Sequence, residues 1–544
     1  MNTQQTYPTW TPNKIAFPLT GSVAEVMADD CRRFGARVAL RCGSEELSYA
    51  QLDAYSERLA AYLRSHCGLI HGDRVAVMMP NLTAYPVAIL GILRAGLVVV
   101  NVNPFYTPRE LQHQLQDSGA KAIVIARPFL PALHEVLADT DVETVMVAPM
   151  GSALCPEPGD ADGAQVQMNA ALACTEELPS TSITPTDNAF LQYTGGTTGP
   201  SKGATLSHGN ILANREQILS WIAPVMENLP EGRTHLAVTA LPLYHIFALT
   251  MNGIVLTSYG ATNILVPNPR DLAALAKVFR DNPVTVFSGV NTLFNGLLHT
   301  PGFADADFSS MRFVVGGGAS IQQHVADLWQ SVTGSCIVEG YGLSETSPLV
   351  TLNSVAQKQL SGTVGFAVPS TEVLLLGSDD QVVERGERGE LCVRGPQVMS
   401  GYWNRPEANA EAFTPEGYFR TGDIAIQHEN GTYQIVDRKK DMILVSGFNV
   451  YPAEIEEVCA QHPQVFEAAC VGVPDAKTGE AIKVFVVPRG EGLDAETLQK
   501  HCRQHLTAYK VPHHIEFIAE LPKSPVGKIL RRELRSTTTR AVAA

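Results

Sequence analysis

The chain contains no Cys-x-x-Cys pair, although ten cysteines are scattered along its 544 residues. That spacing argues against a zinc or disulfide framework and for reduced thiols in a cytoplasmic compartment; no structural metal cluster is expected. The amino terminus, Met1 to Lys14, is polar and proline-containing and lacks the basic-then-apolar pattern of a secretory leader, so export is not expected. An uninterrupted membrane-length apolar stretch is missing as well. The longest run, Tyr85 to Val102, is broken by Arg94 and flanked by Pro86 and Pro104, which suits a buried helix followed by a strand. Positive charge is in deficit: 40 Lys and Arg face 55 Asp and Glu, and the net charge of −15 disfavours a nucleic-acid partner. A basic run near the carboxyl terminus (Lys523, Lys528, Arg531, Arg532, Arg535) stands against that background, and most such runs are solvated faces. No internal repeat or low-complexity tract is visible.

What is present is apolar bulk. With 45% hydrophobic residues over this length, the chain can bury large cores and should divide into roughly three or four structural units. The first part alternates helix-like stretches (Ser48 to Ser65, Arg109 to Asp117) with β-branched runs (Arg74 to Met79, Leu97 to Val102, Ala122 to Ile125), the pattern of a parallel, doubly wound α/β layer. Residues 151–187 read as an irregular connection. Runs at Ala237 to Leu241, Ala261 to Val266, Val284 to Phe287 and Arg312 to Val315 then predict a second α/β unit. From Val364 to Ile435, short strands with glycine and proline turns suggest a distorted β-barrel, and the tail after about residue 440 suffices for a small α+β domain.

The most informative segment lies between the two α/β units. Tyr193, Thr194, Gly195, Gly196, Thr197, Thr198, Gly199, Pro200, Ser201, Lys202, Gly203 and Ala204 form a glycine- and hydroxyl-rich loop leading to one lysine. Glycines let backbone N–H groups turn toward an anion, the hydroxyls add neutral donors and Lys202 adds charge, so the segment is suited to wrapping nucleotide phosphates. The common P-loop needs Gly-Lys-Ser/Thr in succession, whereas here Ser201 precedes the lysine and Gly203 follows it. A GTPase or kinase reading is therefore weak, and a flexible linker is the plain alternative.

Further stretches coincide with this loop: Leu241-Pro-Leu-Tyr-His-Ile-Phe247, Gly316-Gly-Gly-Ala-Ser320, Gly340-Tyr-Gly-Leu-Ser-Glu345, Tyr418-Phe-Arg-Thr-Gly-Asp423, Val436 to Tyr451 and Pro522-Lys-Ser-Pro-Val-Gly-Lys528. In this order, over nearly the whole chain, they resemble the adenylate-forming superfamily, specifically bacterial long-chain fatty acid–CoA ligases. The resemblance implies an α/β fold with a large amino-terminal domain (1–436) of two α/β subdomains plus a distorted β-barrel. A hinge (437–441) and a small mobile α+β carboxyl-terminal domain (442–544) follow. It implies ATP-dependent activation of a fatty acid to acyl-AMP with release of pyrophosphate, then transfer to CoA, with Mg²⁺ as cofactor.

The same resemblance assigns roles. Glu345, with Thr194, would hold magnesium, an oxygen-ligand task suited to a carboxylate. Tyr341 offers a ring for adenine, and Gly317 and Gly318 would let backbone lie along the purine's other face; Gly340, Gly342 and Ser344 complete the nucleotide set. Family members usually carry threonine at 344, and serine keeps the hydroxyl. Asp423 would accept from the ribose hydroxyls, with Arg438 beside it. Lys528 would reach the carboxylate and α-phosphate during adenylation, where a point charge stabilises the pentavalent transition state. Lys440 falls at the hinge, and Ser446, Gly447 and Phe448 would face the pantetheine channel after the small domain rotates. His245 sits where the family places a gate before the acyl tunnel; gating, carboxylate contact and a plain core role all stay open. Asn291 and Thr292 belong to a segment resembling the tunnel-lining helix, whose bland alternative is helix packing. The implied enzyme is cytosolic, visits the inner membrane surface to collect its substrate, and leaves room for a homodimer.

Two readings of other classes compete. A serine hydrolase is suggested by Gly342-Leu-Ser344-Glu-Thr346, which lacks the final glycine of a nucleophile elbow. A non-enzymatic fatty-acid carrier would leave the phosphate loop, Glu345 and Lys528 without a task. Within the superfamily, medium-chain and aryl acid–CoA ligases, luciferase-like oxygenases and peptide-synthetase adenylation domains are the alternatives.

Overall fold

The computed structural model describes residues 12, 14–16, 21–150, 153–157, 165–194, 201–227, 229–230, 232–446, 448–475, 477–524 and 527–535. Glycines 195, 196 and 199, Thr197, Thr198, Pro200 and Gly447 lie outside the described residues.

Fully buried β-branched runs form the middle strands of two large sheets, because a parallel strand covered on both faces needs no polar side chain. In the seven-stranded sheet the order is Gln165–Gln167, Thr144–Ala148, Ala122–Ala126, Arg74–Met78, Val98–Val102, Asn188–Thr194 and Lys202–Ser207. All neighbours are parallel except the last pair, Asn188–Thr194 with Lys202–Ser207, which is antiparallel. The nine-stranded sheet runs Phe366–Ala367, Leu349–Leu352, Ile337–Gly342, Phe313–Gly316, Val286–Gly289, Leu236–Thr239, Thr262–Leu265, Val38–Cys42 and Glu45–Ser48. Its centre is parallel and its edges are antiparallel.

Helices between the strands begin where polar caps satisfy their first N–H groups. Ser48 and Gln51 form a reciprocal capping box at Tyr49–Ser65, and Thr107 with Glu110 does the same at Pro108–Ser118. The apolar run from Tyr85 becomes the buried helix Ala84–Arg94 and the buried strand Val98–Val102. Gly91 lets that helix close on Tyr49–Ser65, since a Cβ there would lie 2.9 Å from Leu59.

Two expectations are amended. The connection at 151–187 contains a three-residue strand, Gln165–Gln167, held only by edge pairing to Thr144–Ala148, and a helical turn, Met168–Ala171. The supposed barrel is an open antiparallel sheet of four strands, Glu372–Leu376, Arg388–Arg394, Phe419–Gln427 and Tyr433–Arg438. It does not close, because the chain bridging its edge at Gly365 and Tyr433 runs directly on into the nine-stranded sheet at Phe366.

The chain leaves this sheet at Arg438 and, after a tight turn, enters a last sheet at Ile443. There Phe448–Val450, Ile443–Val445, Gly479–Pro488 and Val465–Asp475 pair in that order, with His514–Phe517 parallel to Gly479–Pro488. Helices Pro452–Ala460 and Ala495–His505 pack on it, giving a small α+β unit with its own apolar core. Among the described residues no helix is long and apolar enough to cross a membrane.

Candidate active site

Parallel strands deliver their residues at their carboxyl ends, where open α/β sheets bind ligands. Thr194 ends one strand of the seven-stranded sheet, while Gly289, Gly316 and Gly342 end three neighbouring strands of the other. The turns beyond them fit closely. A Cβ at Gly317 would lie 3.2 Å from Phe247 and 3.4 Å from the Gly340 carbonyl, and Gly318 sits at φ 75°. At Gly342 a Cβ would stand 2.0 Å from the Pro348 carbonyl oxygen, so only glycine permits this path into the turn Ser344–Thr346 that carries Glu345.

Glu345 is 8% exposed and makes no ion pair among the described residues. Its carboxylate accepts from the Tyr402 hydroxyl at 2.8 Å and from its own backbone N–H. Burial raises its pKa, against the Tyr402 hydrogen bond and the more distant Arg438 charge. A desolvated carboxylate without a cationic partner is a fitting hard-oxygen ligand for a divalent cation. Lys202 lies 5.3 Å from the Tyr402 ring centre, and its strand pairs directly with Thr194.

Asp423 and Arg438 face each other across adjacent strands, with Arg438 Nε 3.2 Å from Asp423 Oδ1. The other carboxylate oxygen accepts from the Tyr341 hydroxyl at 2.6 Å. Three residues from three chain segments thus lock into one polar group. Beside it, Thr421, Gly422, Arg438, Lys439 and Lys440 line a cleft of about 280 Å³.

Lys528 arrives from the small unit. Its loop is closed by the Ser524 N–H donating to the Lys528 carbonyl at 2.8 Å, and the Thr292 hydroxyl reaches the neighbouring Gly527 carbonyl at 3.4 Å. The ammonium is pushed down to about 8 by burial, helped by Arg438 and opposed by Asp423. His245 is driven to about 4 by burial and then by Lys528, so it is neutral at pH 7. Its Nδ1 faces the Phe247 N–H at 3.5 Å, which places the ring proton on Nε2. Lys528 and His245 therefore share one site.

The remaining expected positions are arranged differently. Asn291 braces the turn after Gly318, donating to Gln322 Oε1 at 3.2 Å and accepting from the Gln322 N–H at 2.9 Å. Thr292, as noted, contacts the lysine loop. Ser446 and Phe448 make no hydrogen bond or ring contact with the Asp423–Lys528 group among the described residues; Phe448 is 57% exposed and stacks on Tyr509 at 4.9 Å. Lys440 lies in the turn between the sheets, its ammonium lowered by burial and by Arg438.

Residues 27–403 match the AMP-binding enzyme family, and residues 454–528 match the AMP-binding enzyme C-terminal domain. The chain belongs to the AMP-binding enzyme family. It is 48% identical over 547 aligned residues to a long-chain-fatty-acid–CoA ligase of Escherichia coli O157:H7, covering 97% of each chain. A feruloyl-CoA synthase of an Amycolatopsis species is 36% identical over 499 residues, 91% of this chain and 95% of that one. Among solved structures, ATP-bound MatB from Rhodopseudomonas palustris superimposes with a TM-score of 0.82 at 29% identity, covering 94% of this chain and 98% of that chain.

Several residues of this AMP-binding enzyme's site were not singled out from the sequence. Tyr402 is one. Asp437 is another: it accepts from the Ala453 N–H at 2.8 Å and so ties the first turn of Pro452–Ala460 to the strand before the hinge. Arg531 grips Glu456 at 2.7 Å and Asp441 at 3.4 Å, fixing the segment after Lys528 to the chain after the hinge. A fourth, Glu339, precedes the Gly340 turn and is 6% exposed. It accepts from the Ile321 N–H at 2.9 Å, and burial pushes it up to about 7, partly offset by that bond. A carboxyl raised in the folded state contributes stability below its ordinary value of 4.5 and loses it as pH rises through 7. Glu339→Gln, which keeps the acceptor, should therefore stabilise the protein at pH 8 by on the order of 3 kcal/mol, with a much smaller gain at pH 5.5; thermal melts at both pH values test this.

Proposed function

We propose that this chain is an AMP-forming long-chain-fatty-acid–CoA ligase, with residues 1–436 binding ATP and acyl substrate, 437–441 acting as hinge and 442–544 as the mobile domain. The observation that carries the reading is the meeting of Glu345, Asp423, Arg438, His245 and Lys528 at the strand ends of a chain 48% identical to such a ligase. The weaker, 36% match to the feruloyl-CoA synthase makes an aryl acid the second choice.

The chemistry follows from the geometry. Asp423 and Arg438 hold the ribose side of ATP, Tyr341 stacks on adenine, and the segment from Tyr193 to Ala204 cradles the phosphates with Lys202 at its end. Glu345 and Thr194 would hold Mg²⁺, which when bound neutralises charge on the phosphate oxygens as pyrophosphate departs. The substrate carboxylate needs no base, being ionised at neutral pH, so neutral His245 offers its Nε2–H as a donor or acts as the gate. Lys528 places its ammonium where the carboxylate oxygen meets the α-phosphorus, stabilising the pentavalent transition state. Rotation about Lys440 then withdraws Lys528 and brings Ser446, Gly447 and Phe448 to the pantetheine arm. CoA sulfur attacks the acyl carbonyl, and AMP leaves.

All ten cysteines are free, which supports a reducing, cytoplasmic setting. Transient contact with the inner membrane surface and a homodimer complete the proposal; vesicle flotation and sedimentation test them. The decisive experiment offers purified protein ATP, Mg²⁺, CoA and acids from C6 to C18 together with ferulate. Equimolar AMP and acyl-CoA, with the highest kcat/KM at C14 to C18, are expected. Absence of AMP with every acid sinks the reading, and a preference for ferulate moves it to the aryl class.

A further inference from the structure

We propose that Tyr402 is a positioning residue for adenylation, its hydroxyl aiming the Glu345 carboxylate and its ring seating Lys202, so that the cation anchor and the phosphate-loop ammonium are set by one side chain. This rests on the reading of Glu345 as the cation anchor.

Among the described residues, Tyr402 is the one other side chain that hydrogen-bonds this carboxylate, at 2.8 Å; the Glu345 backbone N–H also donates to it, and no cation pairs with it. A phenol has a single proton to give. Donated to Oε1, it orients the carboxylate and leaves lone pairs on it for a metal ion. On its other side the ring lies 5.3 Å from the Lys202 ammonium, a cation–π distance.

The tyrosine can position others because it is itself held rigidly. Asn409 brackets its backbone, accepting from the Tyr402 N–H at 2.7 Å and donating to the Tyr402 carbonyl at 3.0 Å. Tyr402 bridges Ala204, the Trp403 N–H donates to the Gly203 carbonyl at 2.8 Å, and the Met399 N–H donates to the Glu345 carbonyl at 2.8 Å. Three residues on, Arg405 pairs with Asp117, which also accepts from the Tyr193 hydroxyl at 2.7 Å. The segment 399–405 therefore braces the phosphate loop at both its entry and its exit, and Tyr402 extends that brace to Glu345.

Tyr402→Phe keeps the ring over Lys202 and removes only the hydroxyl; Tyr402→Leu removes both. The probe is Mn²⁺ with α,β-methylene-ATP, its binding followed by electron paramagnetic resonance on full-length protein. Loss of one hydrogen bond to a charged group should weaken Mn²⁺ about tenfold in Tyr402→Phe and lower kcat for pyrophosphate release about as much, with KM for fatty acid unchanged. Tyr402→Leu should in addition raise KM for ATP. Thioester formation from supplied acyl-AMP should be unaffected in both. Wild-type Mn²⁺ affinity and kcat in Tyr402→Phe would overturn the proposal, provided Glu345→Gln weakens Mn²⁺. If Glu345→Gln also leaves Mn²⁺ binding unchanged, the anchor reading fails and the proposal with it. Should Tyr402→Phe prove insoluble, Asn409→Ala frees the backbone that carries the tyrosine and must lower Mn²⁺ affinity in the same direction, or the proposal is wrong.

Discussion

Lys528→Ala should lower pyrophosphate release from ATP and a long-chain acid by about 10³-fold, while thioester formation from supplied acyl-AMP and CoA stays within about twofold of wild type. The first effect follows from the position of the ammonium. Lys528 sits among Arg438, Asp423, Lys440 and His245, where the proposed function brings nucleotide and carboxylate together, and alanine would leave the developing charge on phosphorus without that ammonium. The second follows from the proposed rotation, which removes this lysine before CoA arrives. Equal loss of both half-reactions would mean that one arrangement of the two domains serves both steps, and the hinge role of Lys440 would have to be withdrawn.

The same residue sets a pH dependence. In this arrangement its conjugate acid titrates near 8, because burial and then Arg438 disfavour the charged form. The ammonium is the useful form, so kcat/KM for adenylation should be level below pH 7 and fall toward tenfold per unit above pH 8. Lys528→Arg, charged throughout, should show no such limb, at a lower absolute rate because a forked guanidinium does not match a point charge. The sign for domain docking is opposite. A lysine whose pKa is depressed on docking opposes the docked arrangement while it is protonated, and that opposition fades as pH rises from about 8 toward its ordinary value of 10.5. Under the proposed function, an anionic nucleotide would offset that cost at neutral pH.

How much of this could be read from residues alone depends on how local the cause is. Strand Val98–Val102 and helix Tyr49–Ser65 were legible because burial on both faces writes an unbroken β-branched run and a capping box writes Ser-x-x-Gln. Gln165–Gln167 was not, since a three-residue edge strand has no periodicity and exists only through its neighbour. The open four-stranded sheet read as a barrel because turn residues report where strands end, not which edges meet. In the site, Glu345, Asp423 and Lys528 were placed by resemblance, and the geometry supplied what resemblance did not: Tyr402 lies 57 residues from Glu345, and a lone tyrosine in Gly-Tyr-Trp-Asn gives no sign of the carboxylate it orients. Asp437 and Arg531 were visible only as members of charged runs, where the default reading is a solvated face. Their partners across the hinge are a property of the fold.

Glu345→Gln should reduce adenylation by about 10² to 10³-fold and yet leave the protein at least as stable as wild type. Glutamine keeps the volume and can still accept from Tyr402, so packing and the 2.8 Å hydrogen bond survive. What it removes is a buried negative charge with no cationic partner, a group whose ionised form is disfavoured by desolvation. For an acid raised in the folded state, the unfavourable contribution is present above its ordinary value, so the gain in melting temperature should appear at pH 7 to 8 in metal-free protein and shrink on acidification. Saturating Mg²⁺ and ATP should reverse the order, because the wild-type carboxylate then has its partner and binding stabilises the native state. Opposite signs of the stability difference with and without Mg²⁺–ATP distinguish a cation anchor from a carboxylate that merely packs: a packing role predicts the same gain in melting temperature in both conditions and little change in the rate of pyrophosphate release.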